Sequence, residues 1–162
     1  MSYDECVHRL QNLPSFTLST IQEDGSIVPW WTVNPADLVP TLILRHARLH
    51  EDIQQIGVQI FEWARHVALA QRVWEIRERR LRVWKAEAFA AAKEKDPKAA
   101  KYMVEEAYRQ LPDYENLCSE VDKAAEVHQC AQGVLDALKA KRDMLRSFVR
   151  RGRDGNPEIL AD

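Results

Sequence analysis

The chain has 162 residues, 46% of them hydrophobic and 30% charged, the composition of a folded, water-soluble protein of one ordinary domain plus a small appendage, which excludes a disordered or fibrous chain. Its formal net charge of −2 excludes a uniformly basic nucleic-acid binder, so any polyanion site must be gathered locally. Cys6, Cys118 and Cys130 form no CxxC pair and no repeated Cys/His spacing, which speaks against a disulfide framework and a zinc site and for a reducing, cytoplasmic setting.

The first forty residues form the expected appendage. Met1 to Leu10 carries Asp4, Glu5 and Arg9 where a signal peptide would be apolar, and no apolar run in the chain approaches the ~20 residues of a membrane span, so no membrane association is expected. Phe16–Ile21 and Ile27–Val33 are β-branched and aromatic runs flanking Glu23-Asp24-Gly25-Ser26, a pattern that predicts a β-hairpin. A lone hairpin is marginal in water and should dock on the helices. Pro29 confines its strand to an edge, and Asn34-Pro35 with Val39-Pro40 reads as an irregular lead-in to the first long helix.

Residues 41–151 form the expected helical domain. Prolines and glycines are sparse here, and none of the prolines falls between Thr41 and Lys95. Apolar positions return at alternating spacings of four and three through Leu49, Ile53, Ile56, Ile60, Trp63, Val67, Ala70, Trp74, Arg77, Leu81, Trp84, Ala88 and Ala91, with Arg77 the one break. Such a heptad run keeps one helix seam against a partner. A helix over the whole stretch would measure about 80 Å at ~1.5 Å per residue. Pro97 suits the first turn of a short segment through Tyr102, Met103 and Tyr108, which stops near Leu111-Pro112. The alternation restarts at Leu117 and continues through Val121, Ala124, His128, Ala131, Leu135, Leu138, Arg142, Leu145 and Val149, with Gly152 placed to end the helix. The predicted class is therefore all-α: a long antiparallel helical hairpin with coiled-coil-like heptads, a short connecting helix and the small N-terminal β-hairpin. Seam alanines permit close approach near the turn, whereas Ile60, Trp63, Val67, Trp74, Leu81 and Trp84 call for wider partners and are the expected oligomer interface. Residues 152–162 read as a disordered tail.

Charge is strongly segregated. Arg72 to Lys101 holds ten basic residues against five acidic, Lys139 to Arg153 seven against Asp143 alone, and Glu105 to Glu126 seven acidic residues against Arg109 and Lys123. Folding back near residues 96–113 would bring Arg142 alongside roughly His66, so that the two basic blocks lie near each other on one rod. A phosphate backbone would bind such a surface through counterion release. The bland alternative is a solvated face laced by i,i+4 pairs such as Glu75 with Arg79 and Glu78 with Arg82. Trp63, Trp74 and Trp84 lie on the seam, where packing is the ordinary role. Trp30 and Trp31 are freer, since adjacent strand residues face opposite ways and one of them can be exposed. Arg77 and Arg142 on the seams read either as register-setting positions or as stems that pack while their heads reach water.

No catalytic constellation is present. His128 and Cys130 point in different directions on a helix, and His46 and His50 share a face at i,i+4 without a third ligand. No glycine-rich loop stands ready for a nucleotide. The expectation is a non-enzyme without cofactor or metal.

Trp84-Lys85-Ala86 leading into an alanine-rich turn, Tyr114-Glu115, and Leu135-Asp136-Ala137-Leu138-Lys139 followed by Lys141-Arg142 resemble the UvsY-type recombination mediators of tailed phages, over roughly residues 45–150. The resemblance implies a small helical protein of the host-cell cytoplasm that forms a ring-like homo-oligomer and binds single-stranded DNA. It further implies that the protein helps a recombinase displace single-strand binding protein. By position Lys85 resembles a DNA-contacting lysine of that family, but Glu87 stands where its companion arginine would be, which moves the expected contact to Arg79, Arg80 and Arg82. With the basic blocks, the expected DNA-binding set is Arg72, Arg79, Arg80, Arg82, Lys85, Lys139, Lys141, Arg146 and Arg150. The competing reading is a coiled-coil adaptor or host-factor inhibitor that meets an acidic protein with the same surface.

Overall fold

The computed structural model describes residues 2–44 and 48–153. The chain is mostly helical with one small two-stranded antiparallel sheet. Its elements run α1 (Tyr3–Gln11), β1 (Phe16–Ile21), β2 (Ile27–Val33), α2 (Pro35–Leu42), α3 (Leu49–Lys95), α4 (Lys101–Arg109) and α5 (Pro112–Arg153).

Two short helices flank the strands, and α2 stands where the sequence was read as an irregular lead-in. Ser2 caps α1 by accepting from the Glu5 N–H, and the Glu5 carboxylate accepts from the Ser2 N–H in return, so two otherwise orphaned donors are satisfied. The turn of helix that follows buries Cys6 and Leu10. In α2 the Asn34 side chain accepts from the Ala36 N–H and Pro35 occupies the first turn, where its missing N–H costs nothing. The Tyr3 hydroxyl donates to the Leu42 carbonyl and ties α1 to the end of α2.

Between them lies the hairpin, with strands at Phe16–Ile21 and Ile27–Val33 as expected. Gly25 supplies the left-handed backbone of its loop at φ 81°, and Asp24 Oδ1 accepts from the Ser26 N–H at 2.8 Å. β1 buries Phe16 and Leu18 against α3 and α5.

α3 covers 47 residues, about 70 Å at ~1.5 Å per residue. It touches α5 along most of its length: Asp52 meets Lys141, Trp74 meets His128, Arg77 meets Glu120, and Trp84 meets Tyr114. Pro97 lies in the turn after α3, with α4 beginning at Lys101, and Pro112 opens α5. Gly152 does not end α5, which continues to Arg153. The rest of the expected tail, and His46, lie outside the described residues.

One hydrophobic cluster unites these parts. Leu10, Phe16, Leu18, Val33 and Leu42 from the N-terminal segment pack with Ile56, Trp63 and Val67 of α3 and with Ala131, Val134, Leu138 and Leu145 of α5. The first forty residues are thus built into the core. Gly133 on α5 belongs to this arrangement, because a Cβ there would stand 3.0 Å from Leu13 Cδ1. Its absence leaves room for the Leu13 side chain, just past α1, against α5.

Candidate nucleic-acid interface

The structure distributes the expected DNA-binding residues unevenly. Lys141 is the clearest departure, being only 1% exposed. Its Nζ donates to Asp52 Oδ1 at 2.8 Å and to the Thr41 carbonyl at 2.6 Å, so it joins α5 to the end of α2 and the start of α3 instead of facing a phosphate. An ammonium taken out of water needs such partners, and an exhausted helix-end carbonyl together with a carboxylate provides them. Lys85 is half-buried with its ammonium 5.3 Å from the centre of the Tyr114 ring, a cation–π position that engages the charge within the chain.

Arg72, Arg79, Arg80 and Arg82 are exposed. Arg80 lies 4.0 Å from Glu120, which also pairs with Arg77. The seam arginine therefore reaches across to the acidic stretch of α5 and is held there. Arg79 and Arg80 line a groove with Trp84, but Glu87, Asp113 and Glu120 line it too, so this patch is electrostatically mixed.

Arg146 and Arg150 are exposed and, with Arg142, rim a cleft of about 510 Å³ whose apolar floor is Ile53, Ile56, Leu145 and Val149. The three arginines are spaced by four on α5 and so share a face. Lys139, half-buried, stands at the start of the same block. Since Lys141 meets Asp52, the second basic block lies beside the beginning of α3, not beside His66. The first block opens at Arg72, twenty residues on, which separates the two by about 30 Å along α3.

The six residues expected at a subunit interface have partners within the chain. Trp63 and Val67 are buried in the core, and Ile60 packs against it. Trp74 rests on His128 with ring centres 5.8 Å apart, Trp84 meets Tyr108 and Tyr114, and Leu81 is half-buried. The buried Trp74 Nε1 has no hydrogen-bond partner among the described residues. The hairpin, α4 and α5 provide the breadth that the tryptophans call for, so a second subunit is not needed to cover them.

An aromatic group that the sequence hinted at only through Trp30-Trp31 sits against the first half of α3. β2 carries an irregularity: Leu18 pairs with Trp31 and Ser19 with Pro29, leaving Trp30 without an opposite number. An extra residue of this kind breaks the strict alternation of sides. Trp30 and Trp31 consequently both approach His66, each with ring centres 5.6 Å from it, and Trp31 meets the buried Trp63 at 5.7 Å. Trp30 is nonetheless 51% exposed and Trp31 36%. An open groove of about 920 Å³ runs beside them, lined also by Glu62, Arg65 and Leu69. Burial holds His66 below its ordinary value of 6.5, with Glu62 opposing the depression and Arg65 adding to it, which favours the uncharged ring.

Among the described residues, no group of three or more His, Cys, Asp or Glu side chains is placed to hold a metal, and no helix is long and apolar enough to cross a membrane. Comparison of the chain with protein-family models, with curated proteins and with solved structures finds no match.

Proposed function

We propose that the protein is a non-enzymatic recombination mediator. In this reading it binds single-stranded DNA as a homo-oligomer and helps load a recombinase onto strands covered by single-strand binding protein. The carrying observation is the cleft rimmed by Arg142, Arg146 and Arg150. The guanidinium groups of Arg146 and Arg150, in a row with that of Arg142, which Asp143 engages at 2.9 Å, suit successive phosphates, and the apolar floor suits the sugar and base faces of a flexible strand better than the stiff outline of a duplex. The framework in this reading is an antiparallel helical hairpin of α3 and α5 with coiled-coil-like heptads. The descending order of partners along α5, from Lys141 through His128 and Glu120 to Tyr114, supports it. Copies arranged in a ring would multiply individually weak phosphate contacts.

The test is fluorescence anisotropy of a labelled single strand, titrated with salt, on the wild type and on the double variant Arg146→Ala, Arg150→Ala. Loss of two phosphate contacts should weaken binding at low salt and flatten the slope of log affinity against log salt by about 1.4, at ~0.7 per contact on single strands. Unchanged affinity and slope would remove the cleft from the interface. The apolar floor also supports the second reading, an adaptor or host-factor inhibitor seating an acidic amphipathic helix. That reading requires the wild type to ignore single strands, duplex and a control polyanion alike.

A further inference from the structure

Two adjacent indoles on one strand, both substantially exposed although each has ring partners, are an expensive surface for a protein to keep if they serve packing alone. Trp31 does pack, since it reaches the buried Trp63; Trp30 contacts Trp31 and His66 with its inner side and leaves half its surface open. The bulge is what places both indoles together, because a regular β2 would turn one of them away from α3.

The surroundings indicate what the open surface receives. Arg65 and Glu62 both line the groove, and beyond it the positive charge prevails along one line, since Arg65, Arg72 and Arg79 recur every seven residues on α3, all exposed. That spacing puts them in one row leading away from the indoles. A cationic ligand would be repelled by this row. A polyanion with free aromatic faces complements both parts at once, its bases meeting the indoles and its phosphates following the arginines. The row is distinct from the Arg142, Arg146 and Arg150 cleft, whose α3 residues are Ile53, Ile56 and Gly57.

We propose that Trp30, Trp31 and His66 form a stacking platform for an unpaired nucleobase, with Arg65, Arg72 and Arg79 holding the phosphates of the same strand. This rests on the single-strand reading above and adds the device that distinguishes single strands from duplex, whose bases already stack on one another.

The experiment compares the full-length protein with Trp30→Ala and Trp30→Phe on three labelled probes: an oligothymidylate, an abasic deoxyribose-phosphate strand of equal length, and a duplex. The wild type should favour oligothymidylate over the abasic strand. Trp30→Ala should lose about tenfold on oligothymidylate and nothing on the abasic strand, and Trp30→Phe, which keeps a stacking ring, should recover most of the loss. Thermal melts of each variant separate loss of a platform from loss of fold. A wild type that binds both strands equally, with Trp30→Ala unchanged, would overturn the platform and leave the phosphate-binding reading standing. A wild type that binds neither strand at low salt would overturn both.

Discussion

Lys141 shows at the scale of one residue why charge along a sequence is a poor guide to charge on a surface. It lies in the most basic stretch of the chain, yet its ammonium is enclosed by Asp52 and the Thr41 carbonyl. Nothing in its own neighbourhood signals this; it follows from the register that sets α5 against residue 52 of α3. Replacing Lys141 by Met should leave the carbonyl without a donor and Asp52, itself only partly exposed, without its partner. The expected cost is about 3 kcal/mol, read as a lowered denaturant midpoint. A loss below ~1 kcal/mol, accompanied by weaker DNA binding, would return Lys141 to the interface. His66 gives a second residue-level expectation. Its folded-state pKa is lowered, so the unfolded chain takes up a proton first as the solution is acidified. The stability associated with neutral His66 is therefore complete above about pH 6.5 and declines as pH falls below it. Denaturant midpoints between pH 7.5 and 5 should show this decline, and His66→Gln should make it shallower; an identical profile in the variant would contradict the assignment.

At the scale of elements, legibility followed how local each cause was. The hairpin could be read because β-branched runs and Asp24-Gly25 are neighbours in sequence. α1 was readable in principle, since Ser2 and Glu5 have the spacing of a capping box, but its short amphipathic stretch carries few apolar residues to draw attention. α2 was hidden by its two prolines, although Asn34-Pro35 is a helix-start signal. The bulge at Trp30 was not legible: it exists only as a mismatch between two strands, and alternation alone predicts opposite faces for the two indoles. The heptads of α3 run through the buried residues Ile56, Trp63, Val67 and Ala70, though Ile53 of the same series is exposed. They could not say whether a strand, a helix or another chain fills the space beside them.

At the scale of the molecule, these fillings alter the expectation for self-association. Trp63, Trp74 and Trp84 are covered from within, so copies that assemble as proposed must meet through other residues. The large apolar side chains that α3 leaves outward include Val58, Phe61 and Val83, Phe61 being 65% exposed. Light scattering at tens of micromolar should therefore give a mass above the monomer that falls in a Phe61→Ser, Val83→Ser double variant and persists in Trp84→Ala. A mass lost in Trp84→Ala with the fold retained would put the contact back on the seam. The Lys141 bond to Thr41 has a further consequence for how the protein comes into being. It spans one hundred residues of chain, and the arginine cleft beside it takes its floor from both α3 and α5. During synthesis the hairpin and much of α3 emerge before any of this can close, and long-range contacts of this kind lag behind local ones in folding. The cleft is thus absent from a chain not yet extended through α5, whereas the groove beside Trp30 and Trp31, lined from β1, β2 and α3 alone, needs nothing from that helix.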